Sequence, residues 1–407
     1  MRQVHNCLVV ALVVAISAIA GLHTLKLASL VSNDSLSIAI DEPQPLVISY
    51  TPAAQGNITV KGHKQEVDAC PLPSLSIALS CLSKTNPNLT LTYPSDAKDH
   101  FLEIHNALSL WTDKSKPHCA ARFCGPWIEN YWIDQFVNHT TTSCLADTFG
   151  PFVPLLIPLI DLWVNRPKKF KYPRGFVQRL QSVLRPDVLY ITVSQNDQGL
   201  PGNDEMPIFH NILVLSAGGY GHVPIPLLKQ EETLVRAKPT NRTYLTSYVG
   251  SLDHAPNDMR QRMHDFLLQK NYTHYYAKNH HWRNIMLDSY TSLSPRGYGR
   301  TSYHLMETLQ MGLIPIHVHM DVPWIPYLQL YRTWGFVATV DDLPQLYERL
   351  QHMTVDDFRE REARVEASRD SHFTIRGTLH QIQLFLLGGG DLECIQLPKS
   401  VRSQHIT

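Results

Sequence analysis

The chain has 407 residues, 43% of them hydrophobic and 18% charged. That is too long for one ordinary core and too apolar for a disordered chain, so two packed domains plus extras are expected. Its 36 basic residues balance 36 acidic ones with no dominant basic run, which excludes nucleic acid as the main partner.

Arg2 precedes an apolar run from Cys7 to Leu22, and the next charge is Lys26. Two readings of residues 1–30 stay open. One is a short signal anchor extended through Leu30, which thin early-secretory membranes accept. The other is a cleaved signal peptide ending near Ala18-Ile19-Ala20. Residues 31–65 are rich in Ser, Thr, Pro and Asn without a helical or strand period, and read as a stem. N-x-S/T sequons stand at Asn33, Asn57, Asn88, Asn138, Asn241 and Asn271. Together with the apolar segment they favour the lumen or the cell exterior. Beyond Cys7, the cysteines are Cys70, Cys81, Cys119, Cys124, Cys144 and Cys394, an even set that suits disulfides in an oxidising compartment. Most lie before residue 145, so the first domain is expected to hold most of the crosslinks. A zinc cluster of His118 with Cys119 and Cys124 is a weak reading, because no second ligand pair lies nearby.

Helical spacing marks Asp99–Trp111, Pro126–Val137 and Gly175–Leu184, and runs of strand formers mark Asp187–Val193 and Asn211–Leu215. A Pro-rich link, Val223–Leu228, closes this first series. The second begins with a strand at Tyr244–Gly250 and continues with helices over Asn257–Leu268, Trp282–Ser289 and Thr301–Met311. Strands at Leu313–Val318 and Gly335–Val340 follow, then a helix from Asp341 and helices from Val355 to Leu387. Helices alternating with short apolar strands imply parallel sheets with crossover helices. The expected fold is α/β, with two Rossmann-like domains facing a cleft: residues 66–235, then residues 236–387 with closing helices, and a tail at 388–407.

The segment Ser289–Tyr327 carries the chemistry. A strand-like approach reaches the loop Pro295-Arg-Gly-Tyr-Gly-Arg300, and a helix starts at Thr301 or Ser302. Gly297 and Gly299 allow close backbone approach. The helix N-terminus, with Ser302 beside it, offers free N–H groups that seat a diphosphate, and Arg296 and Arg300 add charge. Glu307 lies ~9 Å along the axis from Thr301, about the reach from a diphosphate to its ribose hydroxyls. The plain alternative is a helix cap and a solvated glutamate. Other polar positions are Asp197, Glu129 and His222 as bases for proton removal. His317 and His319 share one strand face, and His280-His281-Trp282 reads as a helix start.

The run Pro295-Arg-Gly-Tyr-Gly-Arg-Thr-Ser-Tyr-His-Leu-Met-Glu307, with Gly312-Leu-Ile-Pro315 after it, resembles the donor segment of the exostosin family of glycosyltransferases. Ser247-Tyr-Val-Gly-Ser251 with Met259-Arg260-Gln-Arg262, and Gly125-Pro-Trp-Ile-Glu129 upstream, extend the likeness over residues 95 to 350. The resemblance implies a GT-B architecture and an inverting transferase that uses a UDP-sugar donor on a glycan or glycoprotein acceptor. It implies a lumenal body, tethered as a single-pass type II protein of the Golgi or endoplasmic reticulum membrane, with homo- or hetero-oligomers as an open matter. Arg260, Arg296, Gly297, Gly299, Arg300, Ser302 and Glu307 would hold the donor, and Asp197 would be the base, kept here without the histidine that often follows it in the family. No D-x-D occurs in the chain, so the family comparison implies neither an obligate aspartate-bound metal nor another cofactor. Two rival readings are a non-catalytic partner of another glycosyltransferase and a secreted carbohydrate-binding module.

Overall fold

The computed structural model describes residues 70, 73–82, 89–113, 115–120, 122–137, 144–164, 171–200, 206–269, 274–277 and 281–395. The expected anchor and stem, and all sequons except Asn241, lie outside these residues; Asn241 itself is exposed. Among the described residues no helix is long and apolar enough to cross a membrane. Val67–Thr407 form one compact unit.

Its first half opens with α1 (Ser76–Leu82), α2 (Ala97–Thr112), α3 (Ile128–Val137), α4 (Ala146–Phe149), β1 (Val153–Pro154), α5 (Leu159–Val164) and α6 (Phe176–Val183). Strands β2 (Tyr190–Ser194), β3 (Ile212–Ser216) and β4 (Val223–Pro224) complete a parallel sheet of order β1-β2-β3-β4. Along α2 the buried positions Ala97, His100, Phe101, Ile104 and Leu108 recur every three or four residues, and this stripe packs on α6 and the sheet. Strands β2 and β3 are buried at every position, as parallel strands sandwiched between helices must be, so they read as unbroken apolar runs.

The second half begins with β5 (Tyr244–Val249), a 3-10 turn (Pro256–Asp258) and α7 (Met259–Gln269). It continues through β6 (His274–Ala277), α8 (Trp282–Leu287), β7 (Ser289–Pro295), α9 (Tyr303–Gln310), β8 (Ile314–Val318), α10 (Leu328–Tyr331) and β9 (Phe336–Ala338). Helices α11 (Leu343–Gln351), α12 (Val355–Ser368) and α13 (Ile375–Leu386) end it, with a π-helical turn at Arg369–Phe373. All strands of this sheet are parallel, in the order β6-β5-β7-β8-β9. That order reverses between β5 and β7, and in doubly wound sheets the crevice outside such a switch point is where ligands sit.

Two helix starts differ from expectation for local reasons. Asn257 has a left-handed φ of 53°, so α7 begins only at Met259. Ser302 is extended (φ −150°, ψ 154°), so α9 begins at Tyr303 rather than Thr301. The last helix packs back on the first half, as closing helices do. Ile382, Phe385 and Leu386 of α13 join the first half's core, and Phe385 stacks on Phe152 with ring centres 6.4 Å apart. The cysteines pair as Cys70–Cys144, Cys81–Cys394 and Cys119–Cys124. Two of these bridges stay in the first half, while Cys81–Cys394 ties α1 to the segment beyond α13. A zinc role for Cys119 and Cys124 is set aside by their disulfide.

Candidate functional site

The two sheets meet where the loops after β2 and β3 touch the loop between β7 and α9. The backbone N–H of Arg300 donates to Gly218 O at 3.1 Å. A β-carbon on Gly299 would stand 2.1 Å from Gly218 O and 2.8 Å from Asp197 Oδ1. One on Gly218 would stand 2.1 Å from Asn196 O. Glycine at 299 is therefore what lets the halves close on each other, and glycine at 218 lets the loops after β2 and β3 pack together.

Arg296 and Arg300, expected to face a diphosphate, are spent on the protein itself. Arg296 is 3% exposed; it donates to the carbonyls of Tyr298 and Gly299 and, at 2.9 Å, to Asp321 Oδ1. Arg300 is 1% exposed; its Nε donates to Asp321 Oδ2 at 2.7 Å and its Nη1 to Gly219 O at 3.0 Å. Its guanidinium lies 3.9 Å from the centre of the Tyr220 ring, a cation–π contact across the junction. Burial pushes the Asp321 carboxyl upward, but the Arg300 hydrogen bond, the Val322 N–H and the two guanidinium charges outweigh it and hold the carboxyl below its usual range. Arg260 fills the switch point: it donates to Arg296 O and Pro295 O after β7 and to Ser251 O and Asp253 O after β5. These three arginines shape the loops. Gly297 closes its own loop by donating to Thr301 O at 2.9 Å.

The start of α9 has different chemistry. The Leu305 N–H turns back to Ser302 O at 3.2 Å, while Ser302 makes no side-chain cap for the rest of the first turn. Thr301 and Ser302 are 4% and 8% exposed, and neither hydroxyl has a partner. One turn on, Glu307 is 9% exposed and pairs with Lys229 Nζ at 2.6 Å and His304 Nδ1 at 3.6 Å. Burial raises the Glu307 carboxyl, but His304 and Lys229 overcome that and bring it down to about 2, so it is ionised at neutral pH. Lys229 also lies 5.4 Å from the centre of the Tyr303 ring, while Gln195 Nε2 donates to Tyr303 Oη at 3.4 Å. Lys229 was not among the residues singled out from the sequence. It is a lone lysine at the end of a Pro-rich link, with no motif to mark it.

Asp197 stands in the loop after β2, open to water on one side. Desolvation raises its carboxyl to about 6, against the opposing pull of the Arg296 charge. The other two base candidates are structural. Glu129 is fully buried and accepts from the N–H groups of Gln195 (2.7 Å) and Ile160 (2.8 Å), so it fixes the loop that carries Asp197; burial lifts its carboxyl to about 8 against those bonds. His222 Nδ1 accepts from the Val214 N–H at 3.0 Å, inside the strand ladder.

No family model matches the chain, and no curated protein matches it. Among solved structures, the crystal structure of TarM is similar at 8% identity with a TM-score of 0.31. The match covers 56% of this chain and spans 48% of TarM, about half of its length.

His317 and His319 do not form a metal site with a third ligand among the described residues. Their rings stack with centres 6.1 Å apart, and His317 shares its Nδ1 proton with Ser294 O at 3.2 Å. Burial, then the neighbouring His319, lowers the His317 imidazole to about 3, so it is a neutral core residue. His281 precedes α8 as the helix-start reading expects, while His280 lies outside the described residues. His118 Nδ1 lies 2.9 Å from Asp161 Oδ1, and its ring stacks on Trp127 at 4.5 Å, beside the Cys119–Cys124 loop.

Proposed function

We propose that this chain is a glycosyltransferase of exostosin type that moves a sugar from a UDP-sugar to a hydroxyl of a glycan or glycoprotein. The observation that carries the reading is the start of α9: two buried hydroxyls, of Thr301 and Ser302, without partners among the described residues, one turn before an ionised glutamate. Buried hydroxyls without partners cost free energy, and a diphosphate seated there would satisfy them. Glu307 would accept from the ribose hydroxyls, and Lys229 lies close enough to trade its glutamate for a phosphate oxygen. In the reaction, the acceptor oxygen bonds to the anomeric carbon as the bond to the diphosphate breaks and UDP leaves with the electron pair. The acceptor proton goes to a base, and Asp197, ionised and open to the crevice, is the group positioned for it. Arg260, Arg296, Arg300, Gly297 and Gly299 serve by shaping the loop that presents α9.

The non-catalytic reading has its own support. Arg296 and Arg300 are committed to Asp321, and Lys229 is itself paired with Glu307, so the charges expected to meet a diphosphate are already engaged. Incubating the full-length chain with a panel of UDP-sugars and glycan acceptors, and measuring UDP release, separates the two. Release above the no-acceptor blank is expected. Binding of UDP without release on any acceptor would favour the partner role, and no UDP binding would end both donor-site readings.

A secretory location, with the N-terminal segment in the membrane of the Golgi or endoplasmic reticulum, is part of the same proposal. Three disulfides and an exposed Asn241 sequon support it. Glycosidase treatment of the cellular protein is expected to lower its apparent mass. An unchanged mass with cytosolic fractionation would rule the location out.

A further inference from the structure

Away from the crevice, α11 and α12 border an open surface pocket of about 430 Å³ whose polar walls are Arg349, His352, Asp357, Glu360, Arg361 and Arg364. Its charges are unevenly matched. Glu360 is taken by Arg364 at 2.5 Å, and Arg364 also donates to Thr333 O at 3.1 Å. Asp357 is the capping-box partner of Thr354, accepting from its N–H and its hydroxyl at 2.7 and 2.8 Å. Arg349 and Arg361 have no carboxylate partner among the described residues. Both guanidinium groups instead lie over the Phe336 ring, 5.5 and 4.6 Å from its centre, and Arg361 reaches only the Thr333 carbonyl, at 3.4 Å. Phe336 is 5% exposed, so the ring is a fixed floor that holds the two cations near each other. Burial, then the charges of Arg349 and Arg364, depress the Arg361 guanidinium, and Asp357 and Glu360 do not cancel this. Asp357 and Glu360 offset only part of the positive charge of Arg349, Arg361 and Arg364, and a bound anion would offset more of it.

We propose that this cradle between α11 and α12 is a binding site for a tetrahedral oxyanion with three terminal oxygens, a phosphate or sulfate ester carried on a sugar. The planar forks of Arg349 and Arg361 each present paired N–H donors suited to two oxygens of one such group. The pocket is wide enough for a monosaccharide beside the ester. A carboxylate, with two oxygens in one plane, satisfies one fork and leaves the other without an acceptor. The site is separate from the α9 crevice and stands whether or not the transferase reading holds.

Calorimetric titration of the full-length chain with a hexose 6-phosphate, a hexose 6-sulfate and a hexuronate tests it. Saturable binding of at least one ester is expected, tighter than the hexuronate and weakening as salt rises. The R349Q/R361Q double variant should lose at least about tenfold in that affinity, since each charge-assisted bond removed is worth about one decade or more. Arg349 is exposed and Arg361 half-buried, so melting of the double variant is measured beside the wild type, and R349Q alone, which leaves the half-buried site intact, should melt with the wild type and show a smaller loss of affinity in the same direction. Which ester binds more tightly identifies the carrier. Failure of both esters to saturate the site, or equal affinity in the double variant, overturns the proposal.

Discussion

Replacing Asp321 with alanine should cost the protein about 3–5 kcal/mol of stability, the usual loss when one partner is removed from a buried ion pair. Asp321 is the one carboxylate that both Arg296 and Arg300 reach among the described residues, at 2.9 and 2.7 Å. Those arginines are 3% and 1% exposed, so neither can turn to water for compensation without opening the loop. Opening the loop would also release the Arg300 contacts to Gly218, Gly219 and Tyr220, and with them the junction between the two sheets. Denaturant unfolding of Asp321→Ala and Asp321→Asn beside wild type measures the effect. Asparagine keeps an acceptor but not the charge, and should fall between the other two. A loss below about 1 kcal/mol for alanine would mean that the arginines find water or another acceptor, and that the junction does not depend on this cluster.

Which parts of this were legible in the sequence follows from where each signal resides. Strands β2, β3, β5 and β8 are runs of strand formers because their buried faces demand it, and they announce themselves. Strand β7 is harder to read, since Ser289, Thr291, Ser292 and Ser294 are all buried there. Its hydroxyls are satisfied inside the fold, Ser292 by His304 at 3.0 Å and Thr291 by Leu245 O at 2.9 Å, and such pairings do not show in a window of sequence. Strands β1 and β4 have two residues each and are strands only because β2 and β3 lie beside them. The glycine-bearing loop and the following helix were readable from spacing. The duty of Arg296 and Arg300 was not, because positive charge beside a helix start fits a phosphate and a distant aspartate equally well. The Lys229–Glu307 pair joins a link residue to a helix residue across the junction, and the Cys81–Cys394 bridge spans 313 residues. Neither leaves a periodic trace.

For Glu307, the expected outcome divides into two measurable parts. Glu307→Ala should weaken UDP binding about ten- to a hundredfold, because a charge-assisted hydrogen bond to the ribose is worth roughly 1.5–3 kcal/mol and a decade of affinity is ~1.4 kcal/mol. It should also destabilise the free protein by about 1–3 kcal/mol, since the Lys229 side chain is only 23% exposed and would be left without its counter-charge. Glu307→Gln keeps an acceptor near Lys229 and should lose less on both counts. Adding Lys229→Met to Glu307→Ala separates the two roles. Removing both charges leaves nothing unpaired, so much of the lost stability should return. If Glu307 holds the donor, UDP affinity stays low in the double variant, and falls further if Lys229 takes a phosphate. If Glu307 serves only to neutralise Lys229, affinity recovers along with stability, and α9 can no longer be read as the donor helix. Calorimetric UDP titration and denaturant unfolding on the wild type, two single variants and the double variant complete the cycle.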